Sequence, residues 1–321
     1  MIGRICGTGS YIPELVWDNN RLARMVETND QWIQERTGVI RRHIAGEDET
    51  TAYFASKAAQ AALEDAGIRP EEVDLILVAT ISSNEIMPTA SCEVQKYLGA
   101  SAATCFDLNA ACTGFLFALN TAQAYIAQGI YRTVLVIGAE SLSNLTNWSD
   151  RSTCILFGDG AGAVVLRAED GGSYSQVTHS VGSQGEVLTC SSRNQKKYEQ
   201  TADAPETYMQ MNGQEVFKFA VSKVPETIRE LMEKEKLSTE DIRYFLLHQA
   251  NKRIVASVAK RLKETMDKFP VNISEYGNTS SASIPILMDE MNKKGAFQRG
   301  DRLVLAGFGA GLSYGASLIT W

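Results

Sequence analysis

The chain has 321 residues, 44% hydrophobic and 21% charged, with a formal net charge of −7. That length is too great for one simple core and suits two domains, and the balance is that of a soluble globular protein. Acidic charge argues against a nucleic-acid binder, no apolar run is long enough to span a bilayer, and His43, His179 and His248 lack metal-ligand spacing.

In chain order, MIGRICGTGSYIP reads as a first strand and turn, with none of the features of a signal or transit peptide. Residues 30–42 (DQWIQERTGVIRR) form a polar helical turn ending near Gly38. Thr50 to Gly67 is an amphipathic helix, and VDLILVA (73–79) is a strand buried on both faces. A short helix from Cys92 to Leu98 precedes the stretch CFDLNAACTG (105–114). There a strand-like run meets a small-residue turn, then Cys112, then the apolar helical run GFLFALNTAQAYIAQG. VLVIG (134–138) is a second buried strand, and Ser152 to Arg167 reads as two strands around a hairpin at Gly158-Asp159-Gly160. The polar stretch 191–206 reads as a surface flap. Cys6, Cys92, Cys105, Cys112, Cys154 and Cys190 form no C-x-x-C pair and lie mostly in apolar segments, which predicts free thiols in a reducing cytoplasm.

The second part of the chain repeats the first. LSTEDIRYFLLHQ (237–249) matches IRPEEVDLILVAT (68–80) at an offset of 169, and DRLVLAGFGA (301–310) matches YRTVLVIGAE (131–140) at 170. FPVNISEYGNTS falls opposite CFDLNAACTG, and SKVPETIRELMEKEKL answers SKAAQAALEDAGI. Matches in one order signal duplication. The expected architecture is two α/β halves, 1–171 and 172–321, divided at Gly171-Gly172. Each has a mixed sheet, parallel in its core, around a pseudo-two-fold axis.

The repeat carries the functional argument. It places Asn278 opposite Cys112, and His248 opposite Ala79 at a strand end, where ligand sites of open α/β sheets gather. Cys112 would sit at a helix N-terminus, where free N–H groups and the helix dipole favour a thiolate. A Cys–His pair suits acyl transfer. A neutral amide beside a neutral imidazole would hold a developing oxyanion, as when a malonyl thioester loses carbon dioxide. As bland alternatives, Cys112 is a buried small hydrophobe, His248 a satisfied core histidine and Asn278 a turn residue.

DLNAACTGF around Cys112, HQANKRI from His248 and YGNTSSASIP around Asn278 resemble the three active-site motifs of the β-ketoacyl-acyl carrier protein synthase III family. ETNDQWIQERTGVIRRH, RSTCILFGDGAGAVVL and GFGAGLSYGASLITW resemble it too, so the likeness runs end to end. It implies a thiolase-like fold of five layers, α-β-α-β-α, formed by duplicated halves. It also implies an acyltransferase that initiates fatty-acid biosynthesis. Cys112 would take an acyl group from acyl-CoA. His248 and Asn278 would then stabilise the enolate formed when malonyl-acyl carrier protein decarboxylates, and a 3-oxoacyl product would leave.

The same resemblance implies an oxyanion donor at Ala310, in Gly309-Ala310-Gly311 where the family shows three glycines, and a shielding aromatic at Phe308. It implies CoA contacts at Thr28, Trp32, Arg36, Arg151 and Asn251, and a carrier-binding motif over Gln249, Ala250, Asn251, Lys252 and Arg253. The helix after His248 adds Lys260, Arg261 and Lys263 to this basic face, which also reads as a plain solvated one. Met87 resembles a residue that crosses a homodimer interface to close the partner's acyl pocket. Leu142, Phe157, Leu188 and Met209 are candidates for lining that pocket and equally good as core. No cofactor, metal, nucleic acid or membrane is implied. The alternatives are a starter-unit synthase of a polyketide or quinolone-type pathway with the same triad, and a non-catalytic acyl-binding protein.

Overall fold

The computed structural model describes residues 1–191 and 208–321. In chain order these begin with β1 (Ile2–Tyr11), β2 (Leu15–Asp18), α1 (Asn19–Leu22), α2 (Asp30–Thr37), β3 (Arg41–Ile44) and α3 (Thr51–Ala66). There follow β4 (Leu75–Ala79), α4 (Ala90–Leu98), β5 (Thr104–Leu108), α5 (Gly114–Ala127), β6 (Thr133–Ser141), α6 (Arg151–Cys154) and β7 (Asp159–Glu169). Next come β8 (Tyr174–Ser180), the short strands β9 (Leu188–Thr189) and β10 (Gln210–Met211), and α7 (Gly213–Glu235). The chain closes with β11 (Tyr244–Leu247), α8 (Lys252–Leu262), α9 (Ile273–Tyr276), α10 (Ser283–Lys293), β12 (Arg302–Gly309) and β13 (Ser313–Thr320).

Two sheets carry the structure, in the orders β1-β7-β6-β4-β5 and β11-β12-β13-β8. In each, the parallel pairs (β4 with β5 and β6; β11 with β12) lie at one side of the sheet rather than in its core, and the remaining pairs are antiparallel. Strand side chains alternate between faces, so each sheet offers two apolar surfaces. Leu75, Leu77 and Ala79 face α5 and α10, which share one core with Leu246, Leu303 and Leu305 of the second sheet. Ile76, Val78, Leu135 and Ile137 pack under α3 and α4. Phe245, Leu247, Val304 and Ala306 pack under α7 and α8. The layers therefore run helix, sheet, helix, sheet, helix, as the family resemblance implied. α5 is buried nearly all round because both of its sides meet a sheet.

Helix ends follow the local signals. Thr50 Oγ1 accepts the Tyr53 N–H, and Gly67, at φ 63°, ends α3. At Gly171 and Gly172, φ is 83° and 82°, and the chain turns between β7 and β8.

Three expectations are corrected. The strands place both repeat matches in one register: Leu75 pairs with Val134 as Tyr244 pairs with Leu303, each 169 residues on. The offset of 170 is thus one residue too long. Residues 273–277, opposite β5 at this register, form the single turn of α9 and no strand, so among the described residues the second sheet has four strands against five. Finally, no hairpin forms at Gly158-Asp159-Gly160. Asp150 caps the single turn of α6 by accepting the Ser152 N–H, and β7 begins directly at Asp159. Gly158 serves close passage instead: a Cβ there would stand 2.2 Å from the Tyr276 carbonyl oxygen. The flap read at 191–206 lies almost wholly outside the described residues.

Candidate active site

Cys112 lies in a tight turn, Ala111–Thr113, between β5 and α5. Ala111 takes φ 47°, which reverses the chain sharply, and Asn109 Oδ1 accepts the Ala111 N–H at 3.3 Å. The turn after α9 repeats this device. Ser280 takes φ 50°, and Asn278 Oδ1 accepts the Ser280 N–H at 2.9 Å. At the 169-residue register Asn109 corresponds to Asn278, Ala111 to Ser280 and Cys112 to Ser281. The expectation that Asn278 stands opposite Cys112 is therefore corrected: its counterpart is Asn109. The sequence match misled because it allowed a gap where the backbone has none.

His248 follows β11, its N–H bonded to the Ala306 carbonyl at 2.9 Å. Cys112, His248 and Asn278 line one cavity of about 630 Å³, together with Phe308, Gly309 and Ala310. His248 Nδ1 is 2.7 Å from Ser283 Oγ, which also accepts the Gln249 N–H at 3.3 Å. With the serine hydroxyl proton directed to Nδ1, the ring carries its own proton on Nε2. Burial depresses the His248 pKa from 6.5 to about 3, so the imidazole is neutral. Asn278, whose Oδ1 is engaged by Ser280, keeps its NH₂ group as a donor. Both residues can therefore donate to a developing negative charge.

Burial pushes the Cys112 thiol from 9.0 up to about 12, opposed in part by the Ser280 hydroxyl. The expected resting thiolate is corrected: desolvation outweighs a helix terminus whose effect is confined to its first turn. The β12 end lies against the elbow, since a Cβ on Gly309 would stand 2.8 Å from the Cys112 N and 3.2 Å from its Cβ. Thr113 Oγ1 and Ser313 Oγ, 2.6 Å apart, hold the two turns together. In Gly309-Ala310-Gly311 the positive φ falls on Gly311, at 131°, so alanine is accommodated at 310. The Phe308 ring packs edge-on to His248 at 5.6 Å.

The cavity has an apolar end and a cationic mouth. Leu142, Phe157 and Met209 form a small buried cluster with Ile81 and Leu156 against it, and Leu188 joins the wall. Phe157 bridges in parallel to Asn278, and the Gly158 N–H donates to the Asn278 carbonyl at 3.0 Å. Met87 is 82% exposed, on the outside of this chain. At the mouth Arg151 stacks over Trp32 at 5.1 Å and Arg36 approaches the same ring at 5.8 Å. Asn251 caps α8 and donates to the Arg36 carbonyl at 3.0 Å. Thr28 does not reach the cavity wall.

Lys252 and Arg253 are exposed on α8, with Arg253 5.4 Å from the Phe217 ring. Ala250 lines the cavity. Gln249 is 1% exposed, with its amide bonded to the Leu247 carbonyl and the Asn272 N–H, so its expected place on a docking surface is corrected. Ser283 and Gly309 were missed by sequence reasoning, though the register could have found both, as counterparts of Gly114 and Glu140.

Among the described residues no group of side chains could hold a metal, and no helix is long and apolar enough to cross a membrane. The layers and the cavity define a thiolase-like condensing enzyme. Residues 106–185 match the family model for 3-oxoacyl-[acyl-carrier-protein] synthase III, and residues 232–321 match the model for its C-terminal part. The β-ketoacyl-[acyl-carrier-protein] synthase III of Clostridium acetobutylicum is 47% identical, over 99% of this chain and 98% of its own. The crystal structure of the Aquifex aeolicus synthase III is 42% identical at a TM-score of 0.93, covering 99% of this chain and 100% of that one. The priming β-ketosynthase of the R1128 polyketide pathway is 35% identical at a TM-score of 0.94, covering 99% and 96%.

The chain belongs to the β-ketoacyl-acyl carrier protein synthase III family. It is an acyltransferase of the condensing type that makes the initiating condensation of fatty-acid biosynthesis, and the polyketide alternative is not favoured.

Proposed function

We propose that the chain condenses an acyl-CoA primer with malonyl-acyl carrier protein through an acyl-Cys112 intermediate. The observation that carries this is the meeting of Cys112, His248 and Asn278 in one cavity with an apolar end and a cationic mouth. The Cys112 thiol gives up its proton as sulfur attacks the thioester carbonyl, and the released CoA sulfur is protonated in turn. The Cys112 and Ala310 N–H groups hold the tetrahedral oxyanion.

CoA leaves and the malonyl thioester enters. Its C–C bond to the carboxylate breaks, carbon dioxide departs, and the electron pair passes to the thioester oxygen as an enolate. His248 Nε2–H and the Asn278 amide donate to that oxygen. The carbanion then attacks the acyl-Cys112 carbonyl, and the sulfur leaves to be reprotonated. A neutral imidazole with a pKa of about 3 favours this donor role over that of a base activating water. Phe308 beside it limits access of water to the carbanion.

Trp32 and Arg151 suit an adenine ring, with Arg36 and Asn251 around the rest of the CoA. Arg253 and Lys252, with Lys260 and Arg261 further along α8 and Lys263 at its C-terminal cap, suit an acidic carrier protein. The exposed apolar Ile86 and Met87, at 67% and 82%, support burial in a homodimer. The reaction needs no cofactor, and we place it in the cytoplasm, divided between a first half (1–171) bearing the nucleophile and a second (172–321) bearing His248 and Asn278.

Intact mass measurement after incubation with acetyl-, isobutyryl- and longer acyl-CoAs tests the reading. One acyl adduct is expected on the parent and none on C112A. Absence of any adduct on the parent would sink it.

A further inference from the structure

Glu140, in β6, is fully buried and has no part in the reaction described above. Its Oε2 accepts from Ser82 Oγ at 2.6 Å, the Ile81 N–H at 3.1 Å and Thr80 Oγ1 at 3.3 Å. Its Oε1 meets Ser281 Oγ at 2.8 Å, and Ser281 Oγ is also 2.9 Å from the Ala79 carbonyl oxygen. Each of these last two contacts needs a proton between its oxygens. A hydroxyl has one to give and a backbone carbonyl has none. Ser281 gives its proton to Ala79, so the proton on the other contact belongs to the carboxyl group. The two oxygens divide accordingly: among the described residues Oε2 gathers three donors, as a C=O does, and Oε1 bonds to Ser281 alone, as an O–H does, the Ser280 hydroxyl acting on the carboxyl without a hydrogen bond to it.

The surroundings agree. Burial raises the Glu140 pKa, the hydrogen-bond donors around it only partly oppose this, and among the described residues no cation contributes to the shift. Among the described residues the titratable group whose pKa a charge on Glu140 would raise is Cys112. We infer that Glu140 is a neutral carboxylic acid that donates its proton to Ser281 and so positions the Asn278–Ser281 turn against Cys112. At one end it fixes Ser281, next to the Ser280 N–H that orients Asn278. At the other it fixes Ile81 in the cavity wall. At the repeat register it stands where Gly309 stands beside Cys112. The place of the proton is independent of the proposed reaction, whereas the positioning role rests on it.

The test uses E140Q, whose NH₂ and C=O reproduce the donor and acceptor of a neutral acid, and E140L, which keeps the bulk alone. The infrared difference between parent and E140Q is expected to lose a protonated-carboxyl band. Loss of a carboxylate band would overturn the assignment. The rate of Cys112 alkylation at pH 7 is expected to coincide in parent and E140Q. A charged Glu140 would instead let it rise about tenfold or more in E140Q, and failure of E140Q to fold would also speak against a neutral acid. E140L is expected to slow malonyl-thioester decarboxylation about tenfold, near 1.4 kcal/mol, while Cys112 still takes one acyl group. Equal loss of both steps would assign Glu140 a structural role only.

Discussion

The elbow at Cys112 and its counterpart at Ser281 share a backbone and differ in what surrounds it. Both follow an asparagine that accepts an N–H two residues on, and both contain a residue at positive φ. Beside Cys112 stands Gly309, and His248, held by Ser283, lines the same cavity; beside Ser281 stand Glu140, Ala79 and Gly114. The first elbow opens on a cavity, and the second is closed by the Glu140 side chain, with Ser281 1% exposed. A duplicated frame thus supplies two sharp turns, and the chemistry goes to the one where a glycine leaves room and a histidine replaces an alanine.

The largest effect should come from refilling that room. In G309A the new Cβ would press on the Cys112 N–H at 2.8 Å, displacing a proposed oxyanion donor. We expect kcat to fall about 10²- to 10³-fold, read as the rate of acyl adduct formation in a quenched mass assay. A rate within twofold of the parent would show that close approach of β12 is not what distinguishes the two elbows.

Ser283 replaces Gly114 at the register and holds the imidazole. S283A frees Nδ1 and lets the ring proton move away from the cavity, at a cost of about 1–2 kcal/mol, or roughly a tenfold loss in decarboxylation. Cys112 acylation should be unchanged. Equal losses in both steps would point to a displaced histidine instead of a changed tautomer.

The histidine also has a signature in stability. Its folded pKa of about 3 lies below the ordinary 6.5, so the unfolded chain binds the proton more readily. The stability His248 confers in its neutral form is present above pH 6.5 and is lost as pH falls from there towards 3. H248A should flatten this part of a denaturation series. An unchanged slope would mean that the native imidazole can take up its proton freely.

The same comparison explains what the sequence made legible. Buried strands such as VDLILVA and the helix bounded by Thr50 and Gly67 follow from period and caps, which are local signals; the repeat set His248 at a strand end, whereas Asn278 was reached through the wrong counterpart. The hairpin expected at Gly158 failed because glycine marks close approach as well as turns, and the neighbour it approaches, Tyr276, is far away in sequence. The thiolate failed because desolvation depends on everything packed around the sulfur. Gln249 failed because a polar residue after a strand end reads as surface, whereas two backbone partners hold it inside.

At the cavity mouth the smallest effect is expected. Trp32 and Arg151 stack on each other at 5.1 Å, and Arg151 also donates to the Glu27 carbonyl at 3.0 Å, so the guanidinium is held over the ring before any ligand arrives. An adenine entering between them exchanges one cation–π contact for two stacked faces. The gain from Arg151 is the difference between these, about 0.5–1 kcal/mol at an exposed site. R151A should therefore raise KM for acyl-CoA about two- to fivefold and leave kcat alone, because the contact is the same in ground and transition states. A fall in kcat at unchanged KM would place Arg151 in the reacting geometry, and the division between a reactive elbow and a binding mouth would have to be redrawn.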